Sequence, residues 1–306
     1  MNTNSQATNI NQWPANLDLS FSHTARGTKL SRCRHNGPLY VQKPFYPEGS
    51  DLAHVYLLHP PGGLVSGDTL GITIDAQENT KTLITTPGAA RIYRARETRS
   101  RQKQSVDIVI EQNASVEWFP METIVYDGAD AELHTTITLQ DNSHFIGWEI
   151  TCLGLPASDK PFNKGGLLQT YRIEKKGLPL FIDRLQFSPE KSQWFHNEAG
   201  MRSNTSTGFF MAGPFDFAVS DKNNGSNAVQ QSSADQVEKL NDDLREIITD
   251  QNLEKKLAVT WVNDFCMIRY LGNSAFEARD AFVLMWEMLR PALLERQANA
   301  PGIWKT

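Results

Sequence analysis

The chain has 306 residues, of which 40% are hydrophobic and 21% are charged, and its formal net charge is −5. This composition is typical of a folded globular protein, and the acidic balance argues against a general nucleic-acid-binding role. No apolar run approaches the roughly 18 residues that a membrane-spanning helix requires, so no membrane contact is expected.

The N-terminal segment is polar and lacks the basic and apolar regions of a signal peptide. We predict a disordered polar tail over residues 1–16, followed by a single domain over 17–306. The three cysteines are far apart and form no C-x-x-C pair, which is typical of free thiols in a reducing compartment. A cytoplasmic protein is the simplest expectation.

Many short segments between residues 18 and 220 alternate apolar with polar side chains or are rich in strand-forming residues. This period indicates strands with one buried face. Turn signals such as Asp127-Gly128 and Lys176-Gly177 separate them. Short, closely spaced strands favour a mainly β fold, a sandwich, barrel or β-helix, over βαβ units. The predicted strands cover 17–21, 70–74, 106–110, 115–119, 132–139, 144–151, 167–173 and 179–187.

The C-terminal part predicts helices. A polar segment over 221–236 is expected to be an exposed loop insertion, and apolar spacing of three and four residues then predicts a helix over 234–250. A hairpin is predicted around the turn Asn263-Asp264. A second helix, over 275–297, starts at a capping box and is expected to kink or end near Arg290, because Pro291 follows. Near the C-terminus, Trp304 either docks on the core or reaches a partner.

The segment over 59–68 is the most distinctive feature of the sequence. Prolines fix φ and glycines permit positive φ, so this segment predicts a rigid, sharply shaped turn that ends on the carboxylate of Asp68. The residues that shape this predicted structural turn are His59, Pro60, Pro61, Gly62, Gly63 and Gly67.

Sequence motifs of common catalytic sites are missing. There is no phosphate-binding P-loop, no G-x-S-x-G and no H-E-x-x-H, and the histidines are scattered. Acids do occur in apolar surroundings, where each could be bonded structurally or functional. Such carboxylates, without clusters of histidine or thiolate, suit transient contact with a divalent cation better than tight binding. They are Glu117, Glu122, Asp127, Glu149 and Asp183.

The Pro/Gly turn over 59–68 resembles the signature turn of the UreD family of urease accessory proteins, called UreH in some bacteria. Further blocks match the family in order, so that the resemblance covers about residues 18–306. Two segments depart from the family pattern: 194–200 is bulkier than usual, and 221–236 resembles a local insertion. The additional matching blocks are 85–94, 117–129, 147–154, 269–274 and 289–294, with residues 303–304 after them.

The resemblance implies a β-helix-like sandwich of many short strands, with two or three helices towards the C-terminus. It also implies a non-enzymatic metallochaperone scaffold that acts with UreF and the GTPase UreG on the urease apoprotein. Nickel would be transient cargo, with no tightly bound cofactor. The missing P-loop agrees with this division of labour, since GTP hydrolysis would belong to another subunit.

UreD-like proteins are proposed to contain an internal passage for nickel. By this resemblance we expect Asp68, Glu149 and Asp183 to line it, with Glu122 and Asp127 as weaker candidates. The C-terminal helix and tail are expected to face UreF. The residues predicted for that partner surface are Trp286, Arg290, Ile303 and Trp304.

Two other functions remain open at this point. A carboxylate-dependent hydrolase on a β scaffold could take its catalytic pair from Glu117, Glu122 and Asp127. Such a pair would flank an open cleft at a separation of about 5–10 Å, whereas a passage needs acids along an enclosed channel. A purely structural interaction module would need neither arrangement.

Overall fold

The computed structural model describes residues 14–97, 100–188, 193–216 and 233–305. Residues 1–13 of the predicted tail and 221–232 of the predicted polar loop lie outside these described residues. Three α-helices occur in the described residues: α1 Gln193–His196, α2 Ser233–Asp250 and α3 Ala275–Leu294. The strands are β1 Pro14–Thr24, β2 Gly27–Asn36, β3 Tyr40–Val41, β4 Leu52–Leu58, β5 Thr69–Ala76, β6 Lys81–Thr85, β7 Ala90–Ile92, β8 Gln102–Ile110, β9 Ser115–Phe119, β10 Thr123–Val125, β11 Asp130–Leu139, β12 His144–Leu155, β13 Lys160–Pro161, β14 Gly166–Lys175, β15 Leu178–Phe187, β16 Ser206–Gly213, β17 Leu257–Val262 and β18 Phe265–Gly272.

The strands form two large sheets, and the chain alternates between them. One sheet has seven strands in the order β15-β14-β11-β8-β5-β1-β2, and the other has eleven strands. From β4 to β14 the chain passes repeatedly from one sheet to the other, and consecutive strands within each sheet pair in parallel. This is a flattened β-helix, so the predicted mainly β class is confirmed.

Three of the boundaries that differ from the prediction concern the predicted tail, the polar loop and the C-terminal helix. Strand β1 begins at Pro14, inside the predicted tail, because Pro14 and Ala15 already pair with β5. Helix α2 begins at Ser233, inside the predicted polar loop. Helix α3 ends at Leu294, where Glu295 adopts a left-handed conformation with φ of 53°.

A column of apolar residues marks one corner in successive coils of the β-helix, where the chain passes between the sheets. Leu64 bridges in parallel to Ile92, Ile92 pairs with Val125, and Val125 pairs with Leu153. All four side chains are at most 1% exposed. The Pro/Gly turn therefore forms the first corner of the coil and sets the register that the later corners repeat.

Hydrogen bonds within the Pro/Gly turn hold its shape. Gly62 and Gly67 have φ values of 71° and 88°, which glycine adopts without the steric cost of a Cβ. The carboxylate of Asp68 accepts the N–H of Val65 at 2.8 Å and so closes the turn. Gly63 is needed for a different reason, because a Cβ there would lie 2.6 Å from the carbonyl oxygen of Arg91.

Helix α3 covers the outer face of the eleven-stranded sheet. The predicted N-cap is confirmed, since the N–H of Glu277 donates to the hydroxyl of Ser274 at 3.1 Å. The carboxylate of Glu277 binds Lys256 and Tyr270 and does not complete a capping box.

Of the two predicted effects of Pro291, a kink or an end near Arg290, the end does not occur. Pro291 lies within the last turn, and the N–H of Glu295 still bonds to the carbonyl of Pro291.

A buried ionic network fastens α3 to the sheet. The guanidinium of Arg290 donates to Glu117 at 2.8 and 2.9 Å and to Glu48 at 2.8 and 3.0 Å. The indole of Trp286 donates to Glu117 at 2.7 Å, and Glu48 also bonds to His54 at 2.8 Å. Burial opposes the positive charge, but the two carboxylates outweigh it and raise the pKa of Arg290.

The burial of this network corrects the prediction that Trp286 and Arg290 belong to a partner surface. Trp286 and Arg290 are 0% exposed, so both belong to the interior of the fold and cannot form a docking surface in it. Trp304 docks on the core, where its indole donates to the hydroxyl of Thr85 at 2.9 Å. Ile303 and Trp304 are half-buried.

Replacing Gly63 tests the packing of the Pro/Gly turn. Gly63→Ala is expected to lower the free energy of unfolding by about 1–3 kcal/mol, because the new methyl group must displace backbone. Denaturant unfolding measures the change. Gly88→Ala is the control, since a methyl group there would have no atom within 4 Å beyond its chain neighbours. Equal stability of the two variants would contradict the close approach at Gly63.

Replacing Arg290 tests the buried network. Arg290→Met is expected to lower the free energy of unfolding by about 3–5 kcal/mol, because Glu117 and Glu48 would stay buried without their cation. Arg245→Met, which removes an exposed cation 3.3 Å from Asp242, is expected to change stability by at most about 1 kcal/mol. Both values come from equilibrium denaturation, and a loss below about 1 kcal/mol for Arg290→Met would count against the network.

Candidate functional site

The space between the two sheets changes from apolar to polar along the strands. Because side chains alternate along a strand, Trp148 of β12 packs beneath the helices while Glu149 points between the sheets. There Glu149 meets β11 and β14 of the seven-stranded sheet. At the apolar end, the same space is filled by side chains such as Phe145, Ile137 and Met211.

Glu149 is held by polar side chains from the opposite sheet. One carboxylate oxygen, Oε1, accepts a short hydrogen bond from the hydroxyl of Thr135, and Oε2 accepts from Nε2 of Gln169 at 2.8 Å. Gln169 is oriented in turn by Thr151, whose hydroxyl donates to Oε1 of Gln169 at 2.9 Å. Burial raises the pKa of Glu149, although both hydrogen bonds oppose the increase.

Two cavities lie on either side of Glu149. The first has a volume of about 310 Å³ and extends from Glu149 to His59 at the Pro/Gly turn. The second has a volume of about 220 Å³ and extends from Glu149 to Asp183 and Arg269. Glu149 and Gln169 line both cavities, so this pair forms the boundary between them.

The second cavity adjoins a larger cleft at the end of the sheets. This cleft has a volume of about 770 Å³ and shares lining residues with the second cavity. Three spaces therefore follow one another from the Pro/Gly turn to the far flank of the molecule. The residues shared by the cleft and the second cavity are Arg184, Leu185, Thr207 and Arg269.

Two buried polar groups that find no hydrogen-bond partner among the described residues line the cavities. The indole N–H of Trp118 lies at the first cavity and the hydroxyl of Tyr171 at the second, and both side chains are 3% exposed. An unpaired buried donor is costly, so such groups normally bond to water or to a ligand. The cavities thus offer polar partners for water on both sides of Glu149.

Asp183 and Asp68 lie towards the two ends of this series. Asp183 lines the second cavity and pairs with Arg269 at 2.9 Å. Asp68 closes the Pro/Gly turn and lies beside His59, which lines the first cavity. Burial lowers the pKa of His59, and the charge of Asp68 partly opposes this.

Glu122 and Asp127 lie away from the cavities and serve other contacts. Asp127 accepts the backbone N–H of Asn163 at 2.8 Å and of Lys164 at 2.9 Å, and it pairs with Arg94 at 3.0 Å. Glu122 lies 3.9 Å from Arg279. Neither side chain lines any of the three spaces, so the structure does not join them to Glu149.

The hydrolase prediction is wrong. Glu117, one of its three candidate acids, is 1% exposed and bound to Arg290 and Trp286, so it faces no open cleft. Asp127 is committed to the backbone of a neighbouring loop. The candidate pair therefore lacks the shared, open space that attack on a glycosidic bond requires.

Within the described residues, no group of three or more His, Cys, Asp or Glu side chains is placed to hold a metal ion. The predicted site residues do not include Thr135, Gln169, Tyr171 or Trp118. Gln169 carried a usable signal, because it occupies an inward position of β14 between the apolar residues Leu167 and Tyr171.

None of the helices in the described parts combines the length and apolar character that a membrane crossing demands.

Comparisons with known proteins agree with the architecture. A family profile described as "UreD urease accessory protein" matches residues 14–305. The urease accessory protein UreD of Psychromonas ingrahamii is 45% identical over 97% of this chain and 95% of its own length. That of Marinomonas sp. is 43% identical over 96% and 90%, respectively. UreD of Saccharophagus degradans is 35% identical over 96% and 94%.

Together, the alternating sheets, the corner column and the interior cavities define a β-helix protein without a recognisable catalytic site among its described residues. The chain belongs to the UreD family of urease accessory proteins. Members of this family act in urease maturation as accessory proteins and are not enzymes. The expected family and the non-enzymatic role are therefore confirmed.

Replacing Glu149 tests its burial through the pH dependence of stability. In the unfolded chain its pKa should lie at about 4.3, and burial raises the pKa in the folded state. The folded protein then holds this proton more tightly, so the wild type loses stability as the pH rises from about 4.3 through the raised pKa. Glu149→Gln cannot ionise and is expected to gain stability relative to the wild type over that range.

Urea unfolding at several pH values between about pH 4 and about pH 8 measures the difference for Glu149→Gln. The exposed Glu78 supplies a matched control, and Glu78→Gln should follow the wild type at every pH value. Tyr171 faces Glu149 and stays neutral throughout, because burial raises its pKa well above the ordinary value. A wild type that gains stability over Glu149→Gln as the pH rises would contradict the burial of this carboxyl group.

Proposed function

We propose that this chain is a metallochaperone scaffold required for nickel insertion into apo-urease. It acts with UreF and UreG on the urease apoprotein, and Ni²⁺ crosses its interior as transient cargo. Membership of the UreD family supports the role in urease maturation. The free cysteines support a cytoplasmic location, since a reducing compartment keeps thiols unpaired.

The position of Glu149 between two cavities is the observation that carries the nickel passage. A cation that moves from one cavity to the other comes within reach of this carboxylate, because Glu149 and Gln169 line both spaces. A negative charge at this boundary offsets the cost of taking a divalent cation out of bulk water. The neutral donors around it leave Glu149 as the attractive group at the boundary.

Two further carboxylates support the entry and exit of the cation at the two ends of the proposed passage. Asp68 lies beside His59 at the end of the first cavity, so a carboxylate and an imidazole are available there. Asp183 lies at the far side of the second cavity and is paired with Arg269. We propose the order Asp68, Glu149 and Asp183 for the passage, and we leave out Glu122 and Asp127.

The spacing of these ligands favours transit over storage. Tight nickel or zinc sites bring several nitrogen, sulfur or oxygen ligands to one point. Each step of the proposed passage instead offers one carboxylate, with water completing the coordination. A cation held by so few protein ligands exchanges readily, as delivery to another protein requires.

Urease maturation in cells that express the urease subunits, UreF and UreG tests the proposal. Glu149→Gln keeps the size of the side chain and removes its charge. We expect nickel content and urease activity to fall about tenfold, which corresponds to about 1.4 kcal/mol less stabilisation of the passing cation. Glu78→Gln, at an exposed position, should mature urease as the wild type does.

Omitting the chain distinguishes the two parts of the proposal. If omission abolishes activation while Glu149→Gln activates fully, the scaffold role stands and the passage through Glu149 is wrong. If urease gains its nickel without this chain, the role in maturation is wrong. Soluble expression of each variant, checked by its unfolding transition, separates lost function from lost folding.

A further inference from the structure

The cleft of about 770 Å³ at the end of the sheets has a composition that the nickel passage does not explain. We call it the basic cleft. Five cationic side chains and one carboxylate line it, although the whole chain carries a net charge of −5. The cationic side chains are Arg184, Arg202, Lys255, Lys256 and Arg269, and the carboxylate is Glu254.

Two of these five cations have no carboxylate nearby among the described residues and are available to an external ligand. Three of the five have a carboxylate within 4 Å: Lys256 pairs with Glu277 at 2.6 Å, Arg269 with Asp183 at 2.9 Å, and Arg202 with Glu198 at 3.8 Å. Among the described residues, Arg184 and Lys255 have no such carboxylate, and both are exposed. The cleft therefore presents an uncompensated positive charge.

An aromatic side chain stands at the rim of the basic cleft. Trp194 is 45% exposed, and its backbone carbonyl accepts the N–H of Met201 at 3.1 Å. Gly200 packs so closely that a Cβ there would lie 2.2 Å from this carbonyl oxygen. The loop thus holds Trp194 in place at the surface. Tryptophan and arginine are the residues that most often carry the binding energy of protein interfaces.

The cleft lies between the edges of both sheets. Within the described residues, β15 pairs only with β14, and β17 pairs only with β18, so each strand leaves one edge unpaired. Along β15, Leu178 and Ile182 are 70% and 52% exposed. An unpaired strand edge with exposed apolar side chains is the usual docking site for an extended peptide segment.

We infer that the basic cleft is a docking site for an acidic, extended segment of a protein partner. The segment lies along the edge of β15, its carboxylates meet Arg184 and Lys255, and an apolar side chain packs on Trp194. This combination of sheet edge, aromatic anchor and cations fits a polypeptide better than a small anion, which would use only the cations. The net negative charge of the chain disfavours a nucleic acid.

Binding measurements on the full chain test this inference, which rests on the proposed function for the partners used. Immobilised wild type is titrated with the UreF–UreG complex and with urease apoprotein at about 50 and about 300 mM salt. The double variant Arg184→Glu/Lys255→Glu should bind one of them at least about tenfold more weakly at low salt, and its affinity should depend less on salt. Trp194→Ala should weaken the same complex at both salt concentrations.

Lys239→Glu/Arg245→Glu is the matched control, because it changes the net charge equally on the exposed face of α2. It should bind within about threefold of the wild type, since it leaves the cleft unchanged. Poly-L-glutamate should compete for the cleft, whereas poly-L-lysine should not. Unchanged affinity of the cleft variant for both partners, or competition by free phosphate at equal strength, would overturn the inference.

These outcomes are separate from those of the nickel passage. Wild type that binds neither partner would contradict both the proposed complex and the docking site. Binding that survives charge reversal in the cleft would contradict the docking site alone. The maturation defect of Glu149→Gln, measured with the cleft intact, would be unaffected by either result.

Discussion

The ion pair between Arg290 and Glu117 is the interaction on which the arrangement of sheet and helix depends. It joins the last turn of α3 to the middle of β9, and Glu48 and Trp286 complete it. Neither charge is tolerable at this depth without the other, because burial of an unpaired charge costs several kcal/mol. The network therefore helps to fix where α3 lies on the sheet, together with the apolar packing of the helix.

With one face of the eleven-stranded sheet covered by α3, the other face must pack against the seven-stranded sheet. Apolar side chains fill this space at one end, while Glu149, Thr135 and Gln169 occupy the other. The two cavities lie beside these polar side chains. The interior space is therefore lined by polar and apolar side chains together.

Much of the fold follows from short-range patterns in the sequence. Alternation predicted strands such as β1, β5 and β8, and the capping box predicted the start of α3, because both depend on neighbouring residues. Glu149 stood out as an acid within an apolar strand. Arg290 was misplaced on the surface because its partners Glu48 and Glu117 are 242 and 173 residues away. Similarly, the roles of Thr135 and Gln169 depend on two sheets meeting, which no local pattern encodes.

The corner column of Leu64, Ile92, Val125 and Leu153 has a consequence for how such a molecule can diversify. Successive coils of the β-helix must stay in register at this corner, yet the stretches of chain between corners have unequal lengths. Segments that bulge outwards between two corners can therefore grow or shrink without shifting the coils above and below. The surface of the scaffold can be remodelled for new contacts while its interior keeps one geometry.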